Sequence, residues 1–315
     1  MLDFHYSDTW ADPAAQWTPQ AWLTLDEAQL RQKIYDYTRD CLQQMKAAGA
    51  TPDLIQTGNE ISYGMLWGAK GSTSYRCYMG NEANWQRFTT LLSQAAKACR
   101  EVCPQAKIVL HTERAKQPDV LVNFYSQMAK YGVDYDVIAL SYYPYYHGSL
   151  TALATALQRL ETTFADKRIM VVETGHSYKY KVGDDATGYD LSAEGQRQFT
   201  ADLIATLRQH DHVDGLFWWF PEANEYGLDW ATKRVTDSWY NASLFNDTDS
   251  GIWGYGQVMP ALAELKAFAE GSSAVGSVRV GGHSGRWYNL QGMQLDTKPQ
   301  RRGLYIVDGS KVFVK

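Results

Sequence analysis

The chain has 315 residues, 45% apolar and 13% aromatic, with 11 Trp, 21 Tyr and a net charge of −5. That length can build one large domain or two ordinary ones around a sizeable core. No stretch approaches the ~18 uncharged apolar residues of a membrane span, and mild acidity without a Lys/Arg run argues against a nucleic-acid backbone as partner.

Residues 2–6 (LDFHY) predict a strand, and MLDFHYSD lacks the pattern of a signal peptide. A polar, Trp-rich loop leads to a helix over residues 25–49, where Leu30, Ile34, Tyr37, Cys41 and Met45 recur every three or four positions and Gly49 closes the run. A buried strand over residues 53–58 follows, then a long loop and a helix over 83–101 that stops near Pro104. Strand and helix keep alternating: KIVLH at 107–111, a helix at 119–131, DVIALSY at 136–142 broken by Pro144, and a helix at 150–164. RIMVVE at 168–173, a helix at 193–208, VDGLFWWF at 213–220 and a helix at 259–270 complete the series. Strands this apolar are covered on both faces, which predicts a parallel sheet wrapped by helices. The long loops all follow strands, the asymmetry of a (β/α) barrel whose ligands bind at the C-terminal rim. A doubly wound nucleotide-binding sheet is the rival, weakened because no GxGxxG or GxxxxGK[ST] opens a helix. Beyond Glu270 the texture turns Gly-rich and then alternating, with a hairpin signal at Asp308-Gly309, so residues 1–270 are expected to form the main domain and 271–315 a linker with two or three short strands.

Two predicted strands end in a glutamate, Glu60 after IQTGN and Glu173 after IMVV. On one rim, two facing carboxyls about 5 Å apart suit retaining glycoside hydrolysis, one protonated to release the leaving oxygen and one ionised to attack the anomeric carbon. The bland alternative is two structural acids, each capping a helix or paired with a Lys or Arg. The other strand ends supply a candidate sugar lining of polar groups and rings: His5, Asp8 and Trp10 after the first strand, Asn59 and Trp67 around Glu60, His111 after the third, Tyr142 after the fourth, and Trp218 and Trp219 after the last. Ser7, Glu113, Arg114, Ser141, Tyr143 and Tyr145 fall in the same places. Each of these alone is more often a satisfied structural residue. Histidines 5, 111, 147 and 176 have no short ligand spacing, so no cofactor is expected; a structural Ca²⁺, if present, would sit in the acidic loops near Asp184, Asp185 or Asp247. Cys99 and Cys103 read as core on a helix face, and Cys77 is the candidate for any disulfide.

DFHYSDTWADPAAQW, TGNEISYGMLWG, SYYPYYHG, VVETG, GLFWW and WYNASLF, in that order, resemble glycoside hydrolase family 53, the endo-β-1,4-galactanases of clan A, over about residues 1–270. The resemblance implies a (β/α)₈ barrel, retaining hydrolysis of β-1,4-galactan, Glu60 as acid/base, Glu173 as nucleophile, and Asn59 holding the sugar hydroxyl beside the scissile bond. It also implies a secreted, cell-surface or periplasmic enzyme of arabinogalactan and pectin side-chain breakdown, monomeric if the barrel is complete. The chain departs from the family at Thr174-Gly175-His176-Ser177, where an aromatic-Pro pair is common, at WWFPEAN, where Tyr-Trp-Glu-Pro is usual, and at HTERA in place of an Asp-Asn-Gly ending. The family's barrel begins two βα units earlier, the second carrying an arginine that supports the nucleophile, so six of eight strands are expected here. A galactan-binding remnant without turnover is therefore the alternative from another class, and a clan A hydrolase acting on another β-1,4-glycan is the nearest enzyme alternative. The tail resembles C-terminal segments of secreted bacterial proteins exported through an outer-membrane sorting system.

Overall fold

The computed structural model describes residues 1–178, 187–221, 242–246 and 257–271, with short strand segments at 228–229, 234–235, 287–288, 294–295, 303–307 and 310–314 and the single residue 297. Two compact units appear, Met1–Ser272 and Ser273–Lys315.

The first unit is built on six strands, β1 (Leu2–Phe4), β2 (Leu54–Thr57), β3 (Lys107–Thr112), β4 (Val137–Tyr142), β5 (Arg168–Thr174) and β6 (Val213–Leu216). They lie side by side in chain order and every pair is parallel. Helices α1 (Glu27–Ala47), α2 (Glu82–Val102), α3 (Pro118–Lys130), the short α4 (Pro144–His147), α5 (Leu150–Thr163) and α6 (Ala193–Leu207) make the crossovers. Each long helix starts where its sequence supplies a cap or a proline. The Asp26 side chain accepts from the Gln29 amide in a capping box, Asn81, Ser149 and Ser192 do the same for α2, α5 and α6, and Pro118 opens α3.

Strand alternation divides the apolar residues into two sets. Ile55, Ile108, Leu110, Ile138, Leu140, Ile169 and Val171 join the core formed with the helices. The other parity carries a smaller cluster of Val109, Val137, Ala139, Met170 and Val172. On this second face Gln56 pairs with Val109 and His111 with Ala139, so Gln56, His111 and Ser141 form a buried polar layer nearer the C-terminal edge. The sheet is an open part of a (β/α)₈ barrel, with β1 and β6 unpaired to each other, yet it curls enough to bring the Trp10 ring, which follows β1, to 5.8 Å from that of Trp219, which follows β6.

Several elements differ from expectation. The first strand stops at Phe4 and the last at Leu216, leaving Trp218 and Trp219 in the following turn, although the Trp219 amide still donates to the Thr174 carbonyl at 2.9 Å. Pro144 does more than break β4: at a helix N-terminus its missing amide is harmless, and it starts α4. The four cysteines are all free thiols; the Cys77 sulfur packs over Gly64 and forms no disulfide. Helix α7 (Ala261–Gly271) packs beside α6. Among the described residues of the second unit four short strands form one sheet, rather than two or three, with Val307 paired to Ser310 across two residues at 308–309 that lie outside the described set.

Candidate active site

At the end of β2, Gly58 (φ +110°) turns the chain and Glu60 (φ +48°) adopts a left-handed conformation rare for a side-chain-bearing residue. Three contacts hold that turn. The Ile61 amide donates to the His111 carbonyl at 2.9 Å, Gln16 Nε2 donates to the Asn59 carbonyl at 2.6 Å, and Asn59 Nδ2 donates to the Ala11 carbonyl at 2.9 Å. Asn59 Oδ1 lies 3.0 Å from His111 Nδ1. The Asn59-Glu60 pair is thus fixed by the loop after β1 and by β3, which a strained turn at a functional site requires.

Glu173 stands near the end of β5. The β4–β5 register slips after Leu140, so Ser141 is paired with Glu173 and Val172 is skipped. This irregularity re-aims the carboxylate. The Tyr143 hydroxyl donates to Glu173 Oε2 at 3.0 Å. Both glutamates line one cleft of about 370 Å³, walled by Trp10 and Trp219 and by Tyr143, Tyr146 and His147 after β4. A third carboxyl, Glu113, lines it too; its Oε1 accepts from Ser62 at 2.5 Å and faces Arg114 Nε at 2.6 Å, while Oε2 is buried without a partner.

Enclosure makes charge expensive here. Burial pushes Glu60 up to about 7, with Asp12 and Asp3 adding repulsion and Ser141 and Arg114 opposing it. Burial first and the charge of Glu60 second push Glu113 up to about 8. The same two causes, in that order, hold Glu173 well above the ordinary carboxylate range against the Tyr143 hydrogen bond. Three carboxyls packed this way cannot all be ionised, so at least one proton stays in the cleft at neutral pH. Burial lowers His111 and His147 to about 4, leaving both rings neutral.

Of the sequence-predicted site residues, the structure brings Glu60, Glu173, Asn59, Trp10, Glu113, Tyr143 and Trp219 together in the cleft. The others lie elsewhere. Trp67 is fully buried, with Nε1 donating to the Tyr63 carbonyl and Arg76 stacked on its ring. Tyr142 points to the helix side, packed on Phe199 and donating to the Gly148 carbonyl at 2.9 Å. Trp218 is buried with Nε1 on the Ala242 carbonyl. His5 binds Asp3 and accepts from the Ala11 amide, and Asp8 accepts from the Gln20 amide, so both organise the β1 loop rather than the cleft wall. His111 is fully buried behind Asn59, out of a sugar's reach. Sequence reasoning missed Asp12, Pro13, Tyr146 and His147 in the lining; SYYPYYHG carried the last two, but only the short α4 turns them inward. Among the described residues no three His, Cys, Asp or Glu are grouped to hold a metal ion, and the loops at Asp184, Asp185 and Asp247 lie outside those residues. No described helix is long and apolar enough to cross a membrane.

The family model described as Glycosyl hydrolase family 53 matches residues 1–262. The chain belongs to glycosyl hydrolase family 53. Similar proteins include an arabinogalactan endo-beta-1,4-galactanase of Thermothelomyces thermophilus, 33% identical over 233 residues that cover 70% of this chain and 67% of that protein. The endo-beta-1,4-galactanase of Bacillus subtilis (strain 168) is 29% identical over 280 residues, 80% of this chain and 60% of that protein. Among solved structures, the Ignisphaera aggregans GH53 catalytic domain superposes with a TM-score of 0.70 at 32% identity, covering 84% of this chain and 72% of that one.

Proposed function

We propose that the chain hydrolyses β-1,4-galactosidic bonds within galactan or type I arabinogalactan, with retention of configuration. The observation that carries this is the placement of Glu60 and Glu173 in one cleft between indole walls, in a chain of family 53. Glu60, whose carboxyl keeps its proton to about pH 7, protonates the leaving oxygen; Glu173, beside Ser141 and Tyr143, attacks the anomeric carbon; Glu60 then activates water to release the glycosyl-enzyme. Asn59 holds the sugar hydroxyl next to the scissile bond, and Trp10 and Trp219 stack on the apolar faces of galactosyl units. No cofactor enters the reaction. The protein acts as a secreted, cell-surface or periplasmic monomer on the galactan side chains of pectin.

Release of reducing ends from linear galactan tests the activity, and Glu173→Ala should abolish it. With an aryl β-galactoside carrying a good leaving group, azide should restore turnover of Glu173→Ala as the α-glycosyl azide; a β-azide would instead make Glu60 the nucleophile. A second reading, galactan binding without turnover, is favoured by one feature. The Glu173 carboxyl accepts from the neutral Tyr143 hydroxyl, while burial and Glu60 oppose its ionisation. Binding to immobilised galactan with no release of reducing ends would select it.

A further inference from the structure

The cleft wall is rich in carboxyl groups. Asp12, Glu60, Glu113 and Glu173 line it, while the Tyr143 hydroxyl proton is given to Glu173 and one Asn59 amide proton to the Ala11 carbonyl. A sugar oxygen has lone pairs as well as a proton, so its recognition calls for donors that are still uncommitted. His147 supplies one. The start of α4 closes on itself: the His147 amide donates to the Tyr143 carbonyl at 2.8 Å, and the Tyr143 amide donates back to His147 Nδ1 at 3.0 Å. A backbone N–H can only donate, so Nδ1 must be a bare acceptor. Burial, with the charges of Arg114 and Lys116 adding to it, lowers the ring to about 4 and keeps it neutral at pH 7. Its single proton is therefore on Nε2. Nε2 has no partner among the described residues, and the side chain is half-buried in the cleft wall beside Tyr143 and Tyr146, whose rings lie 6.1 and 6.3 Å from its own.

The topology gives that proton a target. The indole wall comes from the loops after β1 and β6, the two ends of the strand order, whereas His147 follows β4, in its middle. A sugar that rests its apolar face on Trp10 and Trp219 turns the oxygens of its other face toward His147. We propose that His147 is a substrate-binding residue whose Nε2–H donates to an oxygen on the face of the galactosyl unit turned away from the indoles. The assignment deepens the galactanase reading and rests on it. The rival role is structural, with His147 doing no more than tying down the Tyr143 amide at the start of α4. Asparagine would serve that role equally, since its Oδ1 stands where Nδ1 does, but it places no donor at the Nε2 position. Glutamine does the converse: its amide nitrogen reaches about as far as Nε2.

His147→Asn separates the two roles. With the turn kept and the donor lost, KM for linear galactan should rise by about 2- to 10-fold, the equivalent of one ordinary hydrogen bond, with kcat within about twofold of wild type and the melting temperature unchanged. His147→Gln should bring KM back toward the wild-type value. A wild-type KM in His147→Asn, or a His147→Gln no closer to wild type than His147→Asn, overturns the assignment. Long-range ¹⁵N–¹H NMR of the full wild-type chain checks it without any variant. Nε2 protonated and Nδ1 bare is expected across neutral pH, and galactobiose should move the Nε2 resonance at the concentrations that move the indoles of Trp10 and Trp219. The opposite tautomer, or moving indoles beside a still Nε2, overturns the assignment alone. If no reducing ends appear and galactobiose moves neither the indoles nor His147, the galactan reading itself has failed and the assignment falls with it.

Discussion

Glu60 combines a strained backbone with a carboxyl pushed from 4.5 to about 7, chiefly by burial. A native state that holds a proton more tightly than the unfolded chain is most stable with the group protonated. The stability is full below about pH 4.5 and is lost as pH rises through about 7. Glu60→Gln keeps the shape without the charge. It should match wild type at about pH 4 and unfold with up to ~3 kcal/mol more stability at about pH 8, read by urea titration, while hydrolysis is lost. Tyr143→Phe removes the donor on Glu173 Oε2. A charge-assisted hydrogen bond is worth ~1.5–3 kcal/mol, so kcat/KM on galactan should fall by about 10- to 150-fold while the melting temperature changes little. Trp10 is 63% exposed and rests on Trp219. Trp10→Ala should raise KM for galactan by about 5- to 30-fold, with little change in kcat, if its ring is a stacking platform worth ~1–2 kcal/mol.

At the scale of elements, the turn after β2 and the slip between β4 and β5 position the two carboxyls. A Cβ at Gly58 would come to 2.7 Å from Ile61 Cγ2 in a conformation (φ +110°) that side chains disfavour. Gly58→Ala should therefore cost about 1–3 kcal/mol and displace Glu60, lowering kcat more than it raises KM. Thermal melting and steady-state kinetics on the same preparation check both parts. Period and composition revealed each of the six strands of the main sheet and each long helix, whereas the caps Asp26 and Ser192 fix helix starts that the apolar period alone did not mark. Strand ends were less legible. The apolar run at 213–220 continues past the end of β6 at Leu216, yet of its later rings Trp218 is buried, on the Ala242 carbonyl, while Phe217 and Phe220 are exposed. The register slip after Leu140 left no local trace. It depends on how two strands meet.

At the scale of the whole molecule, six strands curl far enough for the loops after the first and last to share a wall, although those strands do not pair. We expect the second compact unit to be dispensable for chemistry, since the cleft residues all lie in the first. Deleting residues 273–315 should leave hydrolysis of soluble galactan within a few-fold. A collapse of activity with an unchanged circular dichroism spectrum would assign the tail a part in catalysis.

The sequence by itself determined the alternation of strand and helix, the parallel sheet and the two strand-end glutamates, because apolar period and chain punctuation are properties of neighbouring residues. Only the tertiary structure decided which rim residues face the cleft. Tyr142 donates to the Gly148 carbonyl on the helix side while Tyr143 meets Glu173; Trp218 is buried against Ala242 while Trp219 lines the wall. Each pair is one position apart in a run of similar rings. Side chains alternate along a strand, so a shift of one residue exchanges inside for outside. That parity is set by register, bulge and curl between strands distant in the chain.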